Sequence, residues 1–568
     1  MEYKNEIKIR STGSVSTTCK NCKNEFVIEK DDFSFYEKIK VPIPTCCPLC
    51  RKKRRFGHLM RVPKFFKKKC SAPGHTEEVI TIYPPSSPHK IYDFDFYQSD
   101  NWDPLSYGRE VDINKSFLEQ FKNFFFEIPH LPLERDPNTV GCEYTLGGRN
   151  GKNNYYASMT YGTNDSQYCI DARFCKDVFD CNAINYCELC YETVGSDKCN
   201  KCFFVDYSEN CVDSYFLYDC KNCFNCYFSY NLRNKSYVFK NEQLNREEYE
   251  KRMKNIDFSD RNEIQKQKKD FEQFIKNALR RNVHNINAVN SLGDGLRETK
   301  NCFFCFRGSK GEDMKYSDIF LTSKSSMDVL NFVDGENCYE SVVIFGSNNK
   351  FCMYCRFIES SEYCVECRNC FNCFGCIGLR NKEYHIFNKP FSKDKYLSKI
   401  NEIKSKMLER GEYGYFFPLE MGLVPYQSSF GQRFFILDQN KAKKLNIPWY
   451  DEPSSKLPDA IFVDKNNLPI KIKDVVDDIL GKIIICEENG KPFRYTHKEL
   501  DFYRHMNLPL PSKSPWQRMQ ERTKRENGII LYPFLCPKCR EVSWSIYSEK
   551  QQKEYKIFCE KCYLKEIY

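Results

Sequence analysis

Residues 168–187 read YCIDARFCKDVFDCNAINYC, with cysteine at Cys169, Cys175, Cys181 and Cys187 and small or aliphatic Ala172, Val178 and Ile184 midway between them. The same three-residue register continues through Cys190, Cys199, Cys202, Cys211, Cys220, Cys223 and Cys226, while Lys, Asp, Asn, Glu and aromatics fill the positions between. One side of the chain is therefore buried and tightly limited in volume. A continuous strand alternates faces, so residues three apart point oppositely unless the chain bends between them. A period of three also drifts around a 3.6-residue helical cylinder. Short strands with repeated bends, stacked coil on coil, satisfy the pattern, and the reading is a β-solenoid of the parallel β-helix kind.

A second array contains Cys302, Cys305, Cys338, Cys352, Cys355, Cys364, Cys367, Cys370, Cys373 and Cys376. Its end, NCFNCFGCIGLRNKEY at 369–384, aligns with NCFNCYFSYNLRNKSY at 222–237, so the middle of the chain is duplicated. Each copy is followed by a helix-compatible segment, roughly 245–281 and 393–409, opened by Asn245 with Glu248 and by Ser392. The array cysteines are read as small buried hydrophobes with a weak donor. Thiolates packed this closely would repel without a metal, and ligands spread along one ridge diverge.

The chain ends carry a second duplication. CKNC at 19–22 and CPLC at 47–50 set two Cys pairs on tight knuckles, and Phe26 to Tyr36 matches Phe493 to Tyr503. Two such knuckles close a tetrahedron around zinc, and a reducing cytosol favours thiolate and metal over disulfide. The first copy keeps Cys19, Cys22, Cys47 and Cys50, whose counterparts are Cys486, Asn489, Ser514 and Gln517. A trailing site reverses this: Cys536, Cys539, Cys559 and Cys562 are complete, whereas Cys70, His75, Asp93 and Phe96 are not. Two Zn2+ per chain are expected, one at each end. Cys46 adds a fifth thiol beside the first site.

A chain of 568 residues with 41% hydrophobic and 15% aromatic composition builds several cored domains. No signal core, cleavage site or bilayer-length apolar run is read, and a cytoplasmic protein without a membrane partner is expected. Ten of the 87 Lys and Arg residues lie in 51–69, RKKRRFGHLMRVPKFFKKK, leaving 77 against 77 acidic residues elsewhere. Arg51, Lys52, Lys53, Arg54, Arg55, Arg61, Lys64, Lys67, Lys68 and Lys69 are the candidate nucleic-acid contacts, with Phe56, His58, Phe65 and Phe66 interleaved for packing or stacking. No GxGxxG, P-loop, HExxH or GxSxG motif occurs, the eight histidines are scattered, and the expectation is a protein that is not an enzyme.

The segment CKNCKNEFVIEKDDFSFYEKIKVPIPTCCPLCRKKRR resembles the "probable zinc-ribbon" family, small treble-clef-like zinc-binding domains. The residues that carry the resemblance are Cys19, Cys22, Phe26, Phe35, Tyr36, Pro44, Cys47, Cys50 and Arg51. The whole chain also looks like large Cys-rich zinc-ribbon proteins of candidate-phyla-radiation bacteria, which implies an architecture and no activity. The second copy departs from the family motif at three of its four ligands.

The expected fold is mixed and β-rich: a duplicated Cys-lined β-solenoid with helical connectors, flanked by N- and C-terminal zinc-ribbon or treble-clef modules. The expected segments are a flexible tail (1–18), the N-terminal zinc module (19–110), a connector (111–140), repeat 1 (141–242), a helical connector (243–290), repeat 2 (291–390), a helix (391–412), a mixed segment (413–485) and the C-terminal zinc module (486–568). The leading functional expectation is a zinc protein that binds nucleic acid, RNA ahead of DNA, through the basic strip, with the solenoid as scaffold. A protein-interaction scaffold, a thiol-rich metal or redox protein, and a carbohydrate-active β-helix enzyme by fold analogy are the alternatives.

Overall fold

In the computed structural model, residues 8–9, 13–61, 64–452 and 461–568 are described. They form a β-rich mixed fold with many parallel strands and some helices. In the first array each strand pairs in parallel with the strand twelve residues on: Glu188 with Asn200, Cys190 with Cys202, Phe203 with Tyr215, Cys211 with Cys223. The second array uses the same step, Phe306 with Asp318 and Phe320 with Phe332, and shortens it to eleven at Val342 with Met353.

The bend that lets residues three apart face inward is a left-handed residue at every third position. Tyr168, Asp171, Phe174, Asp177, Asp180, Ala183 and Tyr186 all take φ between 49° and 60°. Such a conformation costs an L-residue about 1–2 kcal/mol, and Asn and Asp, which tolerate it best, recur there. Its cost is offset by regular pairing of two backbone N–H groups per triplet. Phe179 N donates to Cys190 O at 2.9 Å, and Asp180 N donates to Gln167 O at 3.1 Å.

The third N–H of each triplet belongs to the inward residue and points into the interior, where a buried donor needs a partner. The side chain twelve residues earlier supplies it. Cys187 N donates to Cys175 Sγ at 3.4 Å, Cys220 N to Ser208 Oγ at 3.0 Å, Cys226 N to Ser214 Oγ at 3.1 Å and Cys338 N to Ser326 Oγ at 2.9 Å. The thiols in turn donate to carbonyls, Cys190 Sγ to Glu188 O at 3.3 Å and Cys199 O at 3.4 Å. Cysteine at the inward position is thus both a small apolar filler and a hydrogen-bonding rung. Burial pushes the Cys169, Cys190 and Cys305 thiols well up, so they are neutral S–H groups.

The chain divides into two compact units. One comprises Met1–Met60, Phe65–Pro132 and Val283–Tyr450, and so joins the N-terminal module to the second array. The other comprises Arg61–Lys64, Leu133–Asn282 and Asp451–Tyr568, and joins the first array to the C-terminal module. Module and array are therefore paired crosswise along the chain.

Of the expected tail 1–18, residues 1–7 and 10–12 lie outside the described residues, and Val15–Thr18 is a strand paired antiparallel with Glu25–Ile28. The helix after the second array runs Lys393–Glu409; that after the first is split into Arg246–Met253 and Arg261–Phe274. The Asn245 side chain caps the former by accepting from Glu248 N at 2.9 Å. Residues 453–460 of the mixed segment 413–485 lie outside the described residues.

Candidate metal centres and the arginine helices

In the first unit the strand Val15–Thr18 runs into a knuckle closed by Lys23 in the left-handed conformation, φ 64°, with Cys19 N donating to Asn24 O at 2.9 Å. The second knuckle is the start of the helix Pro48–His58, whose N-cap is Cys47. One ligand atom from each of Cys19, Cys22, Cys47 and Cys50 lies within 4.8 Å of the others, and only Cys22 is exposed. Cys22 Sγ and Cys47 Sγ are 3.8 Å apart. Burial disfavours the Cys19 thiolate, yet the N–H groups of Cys22 and Cys47 outweigh it and hold the thiol down at about 6.

The second unit repeats this construction at its other end. The strands Tyr532–Leu535 and Val542–Ser545 flank a knuckle closed by Arg540, φ 60°, and Cys559 is the N-cap of the helix Glu560–Ile567. Cys536, Cys539, Cys559 and Cys562 gather within the same 4.8 Å, with Cys539 Sγ 3.6 Å from Cys559 Sγ. Against burial, the N–H groups of Cys559 and Cys539 bring Cys536 to about 6. Each cluster can hold a metal ion. No disulfide forms among the described residues.

Where ligands are missing, the frame persists with other bonds. Ser514 N still donates to Cys486 Sγ at 3.3 Å, while Asn489 Nδ2 donates to Gln517 Oε1 at 3.3 Å. At the trailing position of the first unit, Asp93 N donates to Cys70 Sγ at 3.2 Å, but the Asp93 carboxylate turns away to cap the helix Phe94–Gln98. Cys46 is buried against Tyr415, 3.3 Å from its hydroxyl, and is not an exposed exchange thiol.

The helix Pro48–His58 lies over the strands Met327–Glu336 and Tyr339–Phe345. Arg51 Nη2 lies 2.7 Å from Asp328 Oδ2, and Arg51 Nη1 donates to Cys46 O at 2.7 Å. Arg55 Nη1 lies 2.8 Å from Asp328 Oδ1 and 3.1 Å from Glu340 Oε1, and its Nη2 donates to Tyr316 O at 3.1 Å. Lys52 Nζ reaches Asp318 Oδ1 at 3.0 Å, and Arg54 Nη2 reaches Glu340 Oε2 at 2.5 Å. Burial opposes the Arg51 charge, and Asp328 overcomes it, raising the guanidinium well above its ordinary value.

This corrects the strip as an open phosphate surface. Arg51, Lys52, Arg55 and Arg61 are 2%, 7%, 0% and 1% exposed. Arg61 pairs with Asp171, Lys64 with Glu452, and Lys68 Nζ donates to Ser87 O at 2.6 Å and His89 O at 2.8 Å. Lys53, Lys67 and Lys69 remain exposed. The carboxylates that take up the strip were missed by sequence reasoning, although Asp328 and Glu340 are twelve apart and both take the left-handed conformation.

Twelve residues also separate Asp180 from Glu192 in the first array, and they receive the second unit's helix Pro515–Arg525. Arg518 Nε lies 2.9 Å from Asp180 Oδ2 and Arg522 Nη1 2.5 Å from Asp180 Oδ1, while Arg522 Nη2 donates to Tyr168 O at 3.0 Å. Arg518 Nη1 donates to Lys513 O at 3.1 Å, as Arg51 does to Cys46 O. The arginine–aspartate contact is repeated, with Nε and Nη1 on the two carboxylate oxygens and Nη2 on a carbonyl, and one copy survives beside a module end that has lost three of its four ligands.

No family or curated protein matches. Neither a protein-family model nor a curated protein is similar to this chain at a significant level. Among solved structures, one titled "putative acetyltransferase" from Desulfovibrio desulfuricans G20 is 12% identical, covering 51% of this chain and 83% of its own, with a TM-score of 0.10. The expectation that the protein is not an enzyme is corrected on this finding: an exclusion resting on missing motifs is withdrawn. At that TM-score the likeness carries no argument for fold or reaction. No helix among the described residues is long and apolar enough to cross a membrane.

Proposed function

We propose that the chain is a zinc-clamped β-solenoid scaffold for a protein partner. The observation that carries this reading is the burial of Arg51 and Arg55 against Asp328 and Glu340, repeated by Arg518 and Arg522 against Asp180. The basic helix is spent on holding a module to an array. Breaking one member of a buried pair leaves an uncompensated charge, so these contacts fix a single docking position.

The metal fits this role. Zinc bonded to four thiolates at about 2.3 Å spaces the sulfurs by about 3.8 Å, which agrees with 3.8 Å for Cys22 to Cys47 and 3.6 Å for Cys539 to Cys559. Cys19, Cys22, Cys47 and Cys50 would hold one ion, and Cys536, Cys539, Cys559 and Cys562 another. All eight positions are filled by protein, as in structural zinc sites, and the knuckle geometry supports the zinc-ribbon reading of both ends.

The twelve-residue parallel step with a bend every third residue supports a four-sided solenoid, three residues to a side. In the second unit a ladder of exposed rings, Tyr161, Phe174 and Tyr186, runs along the array with centroids 5.1 Å apart at each step. Large rings held this way present apolar area at little entropic cost, as interface anchors do. Capture from native lysate by the full chain and by its Phe174→Ser, Tyr186→Ser variant tests the reading. A protein retained after nuclease treatment and lost with the variant supports it. Material released by nuclease returns the function to nucleic acid and the exposed Lys53, Lys67 and Lys69.

A further inference from the structure

We propose that Cys70, His75 and Glu77 form a third divalent-metal site, more open and more readily exchanged than the two four-cysteine clusters. A ligand atom from each of the three lies within 4.8 Å of the other two. The site sits where the trailing cluster of the C-terminal module has its counterpart. Cys70 follows the strand Phe66–Lys69, as Cys536 follows Tyr532–Leu535, and Cys70 N donates to Glu77 O at 3.0 Å, as Cys536 N does to Glu541 O.

Two ligands of that frame are gone for visible reasons. Asp93, in the place of Cys559, spends its carboxylate on Asp95 N and Phe96 N, and Phe96, in the place of Cys562, sets its ring edge against His75 with centroids 4.8 Å apart. A substitute has entered from the hairpin itself: Glu77 reaches His75 Nδ1 through its carboxylate. The result is one thiol, one imidazole and one carboxylate, a donor set that suits zinc or cobalt and resembles three-ligand sites with a place left for solvent.

Exposure rises across the three, from Cys70 at 4% to side-chain values of 26% for His75 and 51% for Glu77, so the metal has an entry path from solvent. The Cys70 sulfur already accepts N–H groups from Ala72 at 3.5 Å and Asp93 at 3.2 Å, which hold it in place beside His75 and Glu77. On binding, Cys70 loses its proton to solvent, and neutral His75 offers the ion whichever ring nitrogen carries no proton.

The full-length protein loaded with zinc and desalted is analysed for metal per chain, before and after brief exposure to a chromogenic chelator. Three ions are expected, one released rapidly and two slowly. His75→Ala, at a half-buried position, and Glu77→Gln, at an exposed one, should each remove the rapid ion and leave two. A wild type with two ions and no rapid phase, or a His75→Ala variant that keeps the rapid ion, overturns the site. Loss of the slow ions with the rapid one intact would instead overturn the four-thiolate reading above.

Discussion

Arg55 Nη1 lies 2.8 Å from Asp328 Oδ1, and neither side chain has any exposure to solvent. The helix that carries Arg55 is fixed at its start by Cys47 and Cys50, so the knuckle and the ion pair set one position between them. Replacing Asp328 by Ala removes the carboxylate shared by two buried guanidinium groups, those of Arg51 and Arg55, and leaves Glu340 alone to face both. Removing one partner of a buried pair costs about 3–5 kcal/mol, and chemical denaturation should show a loss of that size for Asp328→Ala. Lys53→Ser, at an exposed position of the same helix, should change stability by no more than about 0.5 kcal/mol.

Glu192 supplies a pH dependence. Its burial raises the carboxyl, and Lys268, Arg525 and Arg522 more than reverse this, leaving it at about 2 against an ordinary 4.5. A carboxyl depressed on folding stabilises above its unfolded value, and that stability is lost as pH falls through the folded value. The shift corresponds to about 3 kcal/mol. The stability gap between wild type and Glu192→Gln should be full above pH 4.5 and should close as the pH is lowered to about 2, read from urea midpoints along the pH series.

The inward rungs predict a reversal of ordinary substitution rules. Ser208 Oγ accepts Cys220 N at 3.0 Å inside the first array. Ser208→Ala leaves that N–H unpartnered and should cost about 1–3 kcal/mol. Ser208→Cys keeps an acceptor and should cost less than the smaller alanine. Equal losses for the two variants would show that the rung contributes nothing beyond volume.

Nucleic-acid binding should be absent or confined to a weak, nonspecific level. Fluorescent RNA titrated against the full chain at two salt concentrations is expected to show the same shallow response for wild type and for the Lys53→Ser, Lys67→Ser, Lys69→Ser variant. A steep salt slope that the triple variant flattens would restore the phosphate-binding reading.

Much of the array was legible because its signal is local. Cys169, Ala172, Cys175 and Val178 give the period directly, and a period of three admits few backbones. The left-handed corners were not legible in detail, since Tyr168, Phe174 and Ala183 occupy them as readily as Asp171 or Asp177. The knuckles were also local and gather the eight cysteines named from spacing. What sequence could not give was the destination of the basic strip. A run of Arg and Lys reads as surface until its partners are known, and Asp328 stands 277 residues from Arg51. Spacing likewise aligned Asp93 with a ligand position, but not the helix cap that diverts it or the Glu77 carboxylate beside His75.

The crosswise pairing of modules and arrays has a consequence for synthesis. Residues Met1–Met60 leave the ribosome long before Val283–Tyr450 exists, so the N-terminal module waits with Arg51 and Arg55 unpaired while the first array is being made. That array waits in turn for Arg522, 342 residues beyond Asp180. Neither residues 1–282 nor residues 283–568 contain a whole unit, and a ribosome stalled at residue 282 yields a nascent chain with both units incomplete. Completion of the first unit therefore follows translation of Val283–Tyr450 and that of the second follows translation of Asp451–Tyr568, and contacts of such separation are slow to form.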